Sequence, residues 1–318
     1  MDFPVIEGPT SGRDISYSVY YDECEDLKEI EKGIPASSFS ADINKRNVDL
    51  EFRLLRKLTQ TKQHMDYLIP NSPFLQGFNR YSDVLPYSDT IVKVSTGEYI
   101  NANWITGPGE DNFFIATQGP LESTRNSFWK MIWEHDVKQI IMISAIKEGG
   151  KVKCDQYFPI EETMTTADFS ITLISHENLF PSLVLREFEV SDGEEKKMVG
   201  HLQSLAWPDH GTPELEEEFD SLKHIIDQVL NSQGPVLVHC SAGIGRTGTL
   251  IALCHMIKSL DLLIAAKGFG KTLALRNPRI SVFGTVRRLR EQRWGMVQTK
   301  DQYDFLYRFM EFWITRNN

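Results

Sequence analysis

Hydrophobic and polar residues follow two periods along this chain, and each period marks a kind of element. Leu215, Phe219, Leu222, Ile226, Val229 and Leu230 recur at helical spacing, and Gly234 stops that pattern. Thr212 and Pro213 supply start signals for this helix as N-cap and first helical residue. Pro235-Val236-Leu237-Val238 is then a short apolar, β-branched run, which predicts a buried strand. From Thr247 to Ile257 the helical spacing returns. Leu50, Leu54 and Leu58 share one predicted helical face. The run around Phe128, Trp129, Met131 and Ile132 predicts a helix with core aromatics, and Tyr303 to Trp313 the last one.

Residues 139–144 read as a buried parallel strand. Residues 169–175 and 183–190 alternate apolar with polar positions, as antiparallel strands do, and Asp192-Gly193 turns toward a third near Met198. Two further strands, 99–105 and 114–120, flank a turn at Gly107-Pro108-Gly109. The pattern predicts an α/β fold in a single domain over residues 47–318, with a twisted mixed β-sheet flanked by helices. Residues 1–46 read as an N-terminal extension: loop-like at 8–12, an acidic run with a solvated face at 21–31, turn or linker at 33–42.

Composition narrows the class. Of 318 residues, 41% are hydrophobic and 25% charged, as in ordinary globular proteins. The formal net charge of −10 argues against nucleic acid or anionic membrane as partner. An anionic substrate must therefore be drawn in by a local positive site. Cys24, Cys154, Cys240 and Cys254 contain no closely spaced pair, so neither a zinc site nor a disulfide framework is expected. The first residues lack a signal-peptide pattern, and no run approaches the ~18 apolar residues of a membrane span. The expected location is cytoplasmic and reducing.

Chemistry concentrates in Val238-His239-Cys240-Ser241-Ala242-Gly243-Ile244-Gly245-Arg246-Thr247-Gly248. A cysteine ends the predicted strand, a Gly-rich loop follows, and a helix begins. Such a loop aims backbone N–H groups at one centre, and the helix N-terminus adds unpaired donors. A thiol in that setting, near a cation, is favoured as thiolate. Arg246 offers a planar fork matching two phosphate oxygens. Together they suggest attack on phosphorus through a cysteinyl-phosphate intermediate. No Gly-Lys-Ser/Thr follows, which excludes a Walker A loop.

His239-Cys240, five residues, then Arg246-Thr247-Gly248 resembles the active-site loop of the cysteine-dependent protein tyrosine phosphatases. The resemblance extends over roughly residues 47–318 and implies that family's fold. It implies protein-tyrosine phosphatase activity on phosphotyrosine-containing proteins, with no metal or organic cofactor. By that resemblance Cys240 is the nucleophile. Ser241, Ala242, Gly243, Ile244, Gly245 and Arg246 cradle the phosphate. Asn79-Arg80-Tyr81 resembles the loop that lines the pocket: Tyr81 stacks on the substrate ring and Asp83 holds the substrate backbone. Phe78 stands where the family usually has Lys. Glu148 and Lys153 lie in the Glu-containing loop, with Glu148 fixing Arg246, and Phe158 replaces the usual Trp. Trp207-Pro208-Asp209 resembles the mobile acid loop, with Asp209 as general acid then base and Trp207 as hinge anchor. Thr247 is expected to hydrogen-bond the sulfur. Gln298, with Gln302, is expected to hold the second-step water, which marks the tyrosine-specific branch. His239 is expected to buttress the loop.

Two other readings share parts of this pattern. Phosphoinositide phosphatases share the Cys-x5-Arg spacing but tend to carry lysines where this loop has Ser241 and Ile244, and they lack the Tyr81-type loop. Non-catalytic phosphotyrosine-binding members usually lose the Cys, the acid or the Arg, all present here. The Cys240 thiolate is also expected to be reversibly oxidised by peroxide, closing on the Ser241 amide. Finally, Lys267, Lys271, Arg276 and Arg279, then Arg287, Arg288, Arg290 and Arg293, form a basic segment. It reads as a solvated face, and docking of acidic or doubly phosphorylated peptides over 267–293 is the sharper expectation.

Overall fold

The computed structural model describes residues 5–6, 26–59, 75, 77–107, 110–208, 211–265 and 278–317. Cys24, Asp209 and segment 267–277 lie outside the described residues. Eight strands form the central sheet: β1 (Ala102–Gly107), β2 (Glu110–Thr117), β3 (Gln139–Met142), β4 (Thr163–Thr165), β5 (Ser170–Phe180), β6 (Leu183–Ser191), β7 (Lys196–Ser204) and β8 (Val236–His239). Their spatial order is β1-β2-β8-β3-β7-β6-β5-β4. The middle four, β2, β8, β3 and β7, are mutually parallel, and the outer pairings are antiparallel. The sheet is therefore mixed, with its short, largely apolar strands at the centre, where both faces are covered.

The strand period sorts side chains into two cores. In β8, Val236 and Val238 join the larger core, while Leu237 points to the opposite one. Ile141 and Leu202 follow Val238, and Ile140, Met142 and Val199 follow Leu237. The same alternation puts His239 on the Leu237 face and Cys240 on the other. Helices α1 (Val48–Thr59), α3 (Leu215–Leu230), α4 (Gly245–Ala265), α5 (Val282–Gln292) and α6 (Lys300–Asn317) cover the larger core. Helix α2 (Arg125–Glu134) covers the smaller one. No helix among the described residues is long and apolar enough to cross a membrane.

Several expectations shift. Helix α1 forms, but its buried stripe is Glu51, Phe52, Leu55, Leu58 and Thr59. Leu50 and Leu54 sit only half-buried, because the aromatic Phe52 takes the inner face against Tyr303 at 5.9 Å. Helix α3 begins at Leu215 with an extended Glu214 before it, so Thr212 and Pro213 fall outside the helix. Residues 33–42 are not a linker. Ile34–Pro35 pairs antiparallel with Arg279–Ile280, whose other neighbour is Val5–Ile6 in parallel. Short helical turns over Ala36–Ser38 and Phe39–Asp42 follow. Leu27, Ile30, Ile34 and Phe39 enter the larger core, which is why this stretch orders against the helices.

The basic face over 287–293 is not a solvated surface. Arg290 is 4% exposed and donates to the Met296 and Val297 carbonyls at 2.8 and 2.7 Å. Arg287 pairs with Glu31 and Glu291. Arg279 donates to the carbonyls of Lys32 and Gly33. Each cation is consumed by backbone or carboxylate oxygens inside the fold, so the expected docking of acidic peptides on these arginines is withdrawn.

Candidate active site

The loop between β8 and α4 is shaped by what holds its carbonyl oxygens. The Gly119 N–H donates to Ser241 O at 2.9 Å. Arg293 donates to Ala242 O at 3.1 Å and to Gly243 O at 2.8 Å. Ile244 O accepts from the N–H groups of Val297 and Gly248. In a planar trans peptide the N–H points opposite the C=O. Tying four successive carbonyls outward therefore turns the N–H groups of residues 242–245 inward. The Gly243 N–H, so directed, reaches Cys240 Sγ at 3.3 Å. Glycine is required at 243: φ is +71°, and a Cβ there would lie 2.0 Å from Thr117 O.

Arg293 is fully buried, and its remaining donors go to Asn103 Oδ1 at 2.7 Å and Asn101 Oδ1 at 2.8 Å. Burial pulls its pKa down to about 10, which leaves it charged near neutrality. The sequence reading gave Arg293 to the surface and residues 99–105 to mere scaffold. Alternating Asn101 and Asn103 on one face of a strand end was the available signal of a buried polar partner.

Arg246 is 3% exposed at the start of α4. Glu148 grips it bidentately, Nη1–Oε1 at 2.7 Å and Nη2–Oε2 at 2.9 Å. Glu148 is set by a two-residue hairpin between Lys147–Glu148 and Lys151–Val152. Its turn is Gly149-Gly150, both at positive φ, the conformation such tight turns need. The other donor of Nη1 reaches the Trp207 carbonyl at 3.1 Å. The Trp207 indole in turn donates to Gly211 O at 2.9 Å and packs on Phe305. The stem of the Trp207-Pro208 loop is thus latched to the guanidinium. Lys153 supplies a carbonyl that accepts from Ser241 Oγ at 2.9 Å.

These residues enclose a pocket of about 110 Å³. Cys240, Ser241, Ala242, Gly245 and Arg246 form its floor. Tyr81, Asp83 and Val84 make one wall, and Gln298 and Gln302 the other. Tyr81 is tied to the floor by its hydroxyl, 2.8 Å from Ser241 Oγ. Arg80 fixes that wall by donating to Gly119 O, Pro120 O and Asp155. Phe78, where a lysine was expected, contributes its carbonyl to Gln118 Nε2 at 2.8 Å. Gln302 Oε1 accepts from the N–H of Gln298 at 3.0 Å and of Thr299 at 3.3 Å. Both glutamine amides close over Gly245, where a Cβ would meet them at 3.0–3.1 Å.

Thr247 departs from expectation. Its hydroxyl is buried without a hydrogen-bond partner and makes no bond to the sulfur. In the first turn of α4 its side chain is fully enclosed, and the sulfur's donor is the Gly243 N–H instead.

Behind the loop, His239 is fully buried with Nε2 2.8 Å from Tyr157 Oη. Tyr157 Oη also lies 2.8 Å from His201 Nε2. Burial pulls the His239 pKa down to about 4 and drives His201 well below the ordinary range. Phe158 packs its ring against His201 at 4.6 Å. Tyr157 and His201 were not singled out from the sequence, where nothing distinguishes them from core residues.

The profile of the protein-tyrosine phosphatase family matches residues 76–311. The catalytic domain of human protein tyrosine phosphatase non-receptor type 18 superposes with a TM-score of 0.76 at 31% identity, over 88% of this chain and 99% of that one. Receptor-type tyrosine-protein phosphatase eta of Gallus gallus is 37% identical over 241 residues, 73% of this chain and 16% of the relative. Receptor-type tyrosine-protein phosphatase C of Rattus norvegicus is 37% identical over 244 residues, again 73% of this chain and 18% of the relative. The chain thus spans under a fifth of the length of these curated relatives. With a family match across most of its length and a fold shared with a solved catalytic domain, the chain belongs to the protein-tyrosine phosphatase family.

Proposed function

We propose that this chain hydrolyses phosphotyrosine in proteins through a cysteinyl-phosphate intermediate. One observation carries the reading: Cys240 and a carboxylate-locked Arg246 share the floor of a pocket walled by Tyr81. The phosphate sits on the inward N–H groups and the guanidinium, and Cys240 Sγ attacks phosphorus in line with the tyrosyl oxygen. Charge that builds on the equatorial oxygens meets donors already oriented, which is where such donors count most. Asp209 protonates the leaving oxygen, then takes a proton from the water that cleaves the S–P bond. Gln298 orients that water, while Gln302 holds the turn beneath it. Tyr81 and Asp83 select a ring-borne phosphate on a peptide over the shorter phosphothreonine.

Human type 18 phosphatase has been solved in complex with HER2 phosphopeptides, which supports phosphotyrosine proteins as the substrate class here. A reducing, cytoplasmic setting suits the thiol nucleophile. Peroxide would oxidise it to the sulfenic acid with release of water, and the Ser241 amide nitrogen could then displace a second water. Thiol should restore activity after peroxide; permanent inactivation would rule out reversible control.

Phosphate release from phosphotyrosine and phosphothreonine peptides tests the main reading. Turnover should be phosphotyrosine-selective and lost by about 10⁵-fold or more in Cys240→Ser. Equal turnover of both peptides would move the chain to the dual-specificity class. Turnover that survives the substitution would refute the nucleophile.

A further inference from the structure

Three buried side chains behind the loop form a file, with the Met142 sulfur as a weak side contact 3.9 Å from the central Tyr157 hydroxyl, and one acceptor fixes its direction. His239 Nδ1 lies 3.1 Å from the Cys240 carbonyl oxygen, which can only accept. Nδ1 therefore carries the ring hydrogen. Burial keeps this imidazole neutral near pH 7, with its pKa at about 4, so Nε2 is bare. Tyr157 Oη, 2.8 Å away, gives its only hydrogen to that nitrogen, a far stronger acceptor than the Met142 thioether at 3.9 Å. The same oxygen is 2.8 Å from His201 Nε2, and with its hydrogen spent it can only accept there. His201 must then be protonated on Nε2 and, being neutral, bare on Nδ1. A separate observation agrees: His201 Nδ1 is a buried nitrogen with no hydrogen-bond partner. Nδ1 makes no hydrogen bond of normal geometry, although the residue's own backbone lies near enough to favour a proton on the ring.

We propose that His201, which does not border the pocket, is a positioning residue for the Cys240 loop. It donates to Tyr157 and thereby commits the tyrosine hydrogen to His239, holding His239 in the one tautomer that can anchor the Cys240 carbonyl. The ring of His201 cannot turn away. Phe158 packs on it at 4.6 Å, and Arg186 stands opposite it in the β6–β7 register. Without this donor the Tyr157 hydrogen is no longer committed. The other tautomer of His239 would face a lone pair toward the Cys240 carbonyl, and the loop would yield at the nucleophile. Only the kinetic arm of the test rests on the phosphatase reading.

The direct test is ¹⁵N NMR of the histidine side chains in the intact chain. His239 should be protonated on Nδ1 and His201 on Nε2. The opposite assignment at either ring overturns the proposal, whatever the activity. In kinetics on a phosphotyrosine peptide, His201→Leu should lower kcat by about tenfold with KM little changed, since a misplaced reacting group costs rate more than binding. His201→Gln, whose amide keeps a donor at the same reach, should recover most of that loss. In a Tyr157→Phe background, His201→Leu should cost nothing further. An equal cost in both backgrounds would mean that His201 acts through packing alone, and the proposal would fall. If the Leu variant does not fold, the Gln variant and the tautomer assignments still decide. A wild-type chain inactive on phosphotyrosine would sink the phosphatase reading and leave the NMR arm standing.

Discussion

Two buried arginines bracket the Cys240 loop, and they are satisfied in opposite ways. Arg246, on the pocket side, is neutralised by a bidentate carboxylate, Glu148. Arg293, behind the loop, donates to neutral oxygens, those of Gly243, Ala242, Asn101 and Asn103. Neutral acceptors leave its charge uncancelled, but full burial and occupied donors make Arg293 a brace for the backbone. The carboxylate on Arg246 fixes one edge of the guanidinium while the other borders the pocket. Burial alone therefore does not say whether an arginine binds or builds; whether it borders the pocket does.

The largest effect expected from breaking this contrast is on the front. Arg246→Lys keeps charge but loses the planar fork, so kcat/KM should fall by about 10³-fold, roughly 4 kcal/mol. Urea unfolding should lose about 1–3 kcal/mol, because Lys cannot serve both Glu148 and the Trp207 carbonyl. Next comes the rear. Arg293→Lys cannot reach four acceptors, and orphaned buried oxygens cost about 1–3 kcal/mol each. Urea unfolding should show a loss of about 3 kcal/mol. A stable Arg293→Lys variant with crippled turnover would put Arg293 in the chemistry and erase the distinction.

Acid sharpens it further. The His239 pKa is depressed from 6.5 to about 4, so the folded state binds fewer protons between those values. Its contribution is complete above pH 6.5 and is lost as pH falls toward 4, which amounts to about 2 kcal/mol between pH 7 and 5. Chemical denaturation at both pH values should show this loss, reduced in His239→Asn. The smallest change is Tyr81→Phe, which removes one hydrogen bond to Ser241 and should cost about 1 kcal/mol of stability. A larger loss would mean that the wall, too, is structural.

The front of the site was legible because its residues are spaced by one loop and one helix start. Cys240, Arg246 and the intervening glycines lie within a single turn of chain, and Glu148, Tyr81 and Gln298 follow from the family resemblance. The rear was not. Arg293 and Arg290 look like surface cations in any linear reading, since a charge alone does not report which oxygens the fold brings to it. Tyr157 and His201 meet His239 only because three separated stretches deliver their side chains to the same side of the sheet. The inner face of α1 was misjudged for a related reason. Leucine spacing suggested one stripe, but the ring of Phe52 fills more of the groove beside Tyr303 and turns the helix toward it. Thr247 was assigned a bond to the sulfur that a backbone amide makes instead.

The latch between Arg246 and the Trp207 carbonyl has a consequence in terms of reciprocity. A donor shared by the phosphate cradle and the loop stem makes the two a single thermodynamic unit: whatever free energy an anion gains by drawing the guanidinium forward is felt as torque on Trp207, and through its indole on Gly211. By linkage, if an anion in the pocket shifts the loop between two positions, those positions must differ in anion affinity by the same factor. Ligands that grip the cradle and mutations in the loop stem are then two handles on one lever.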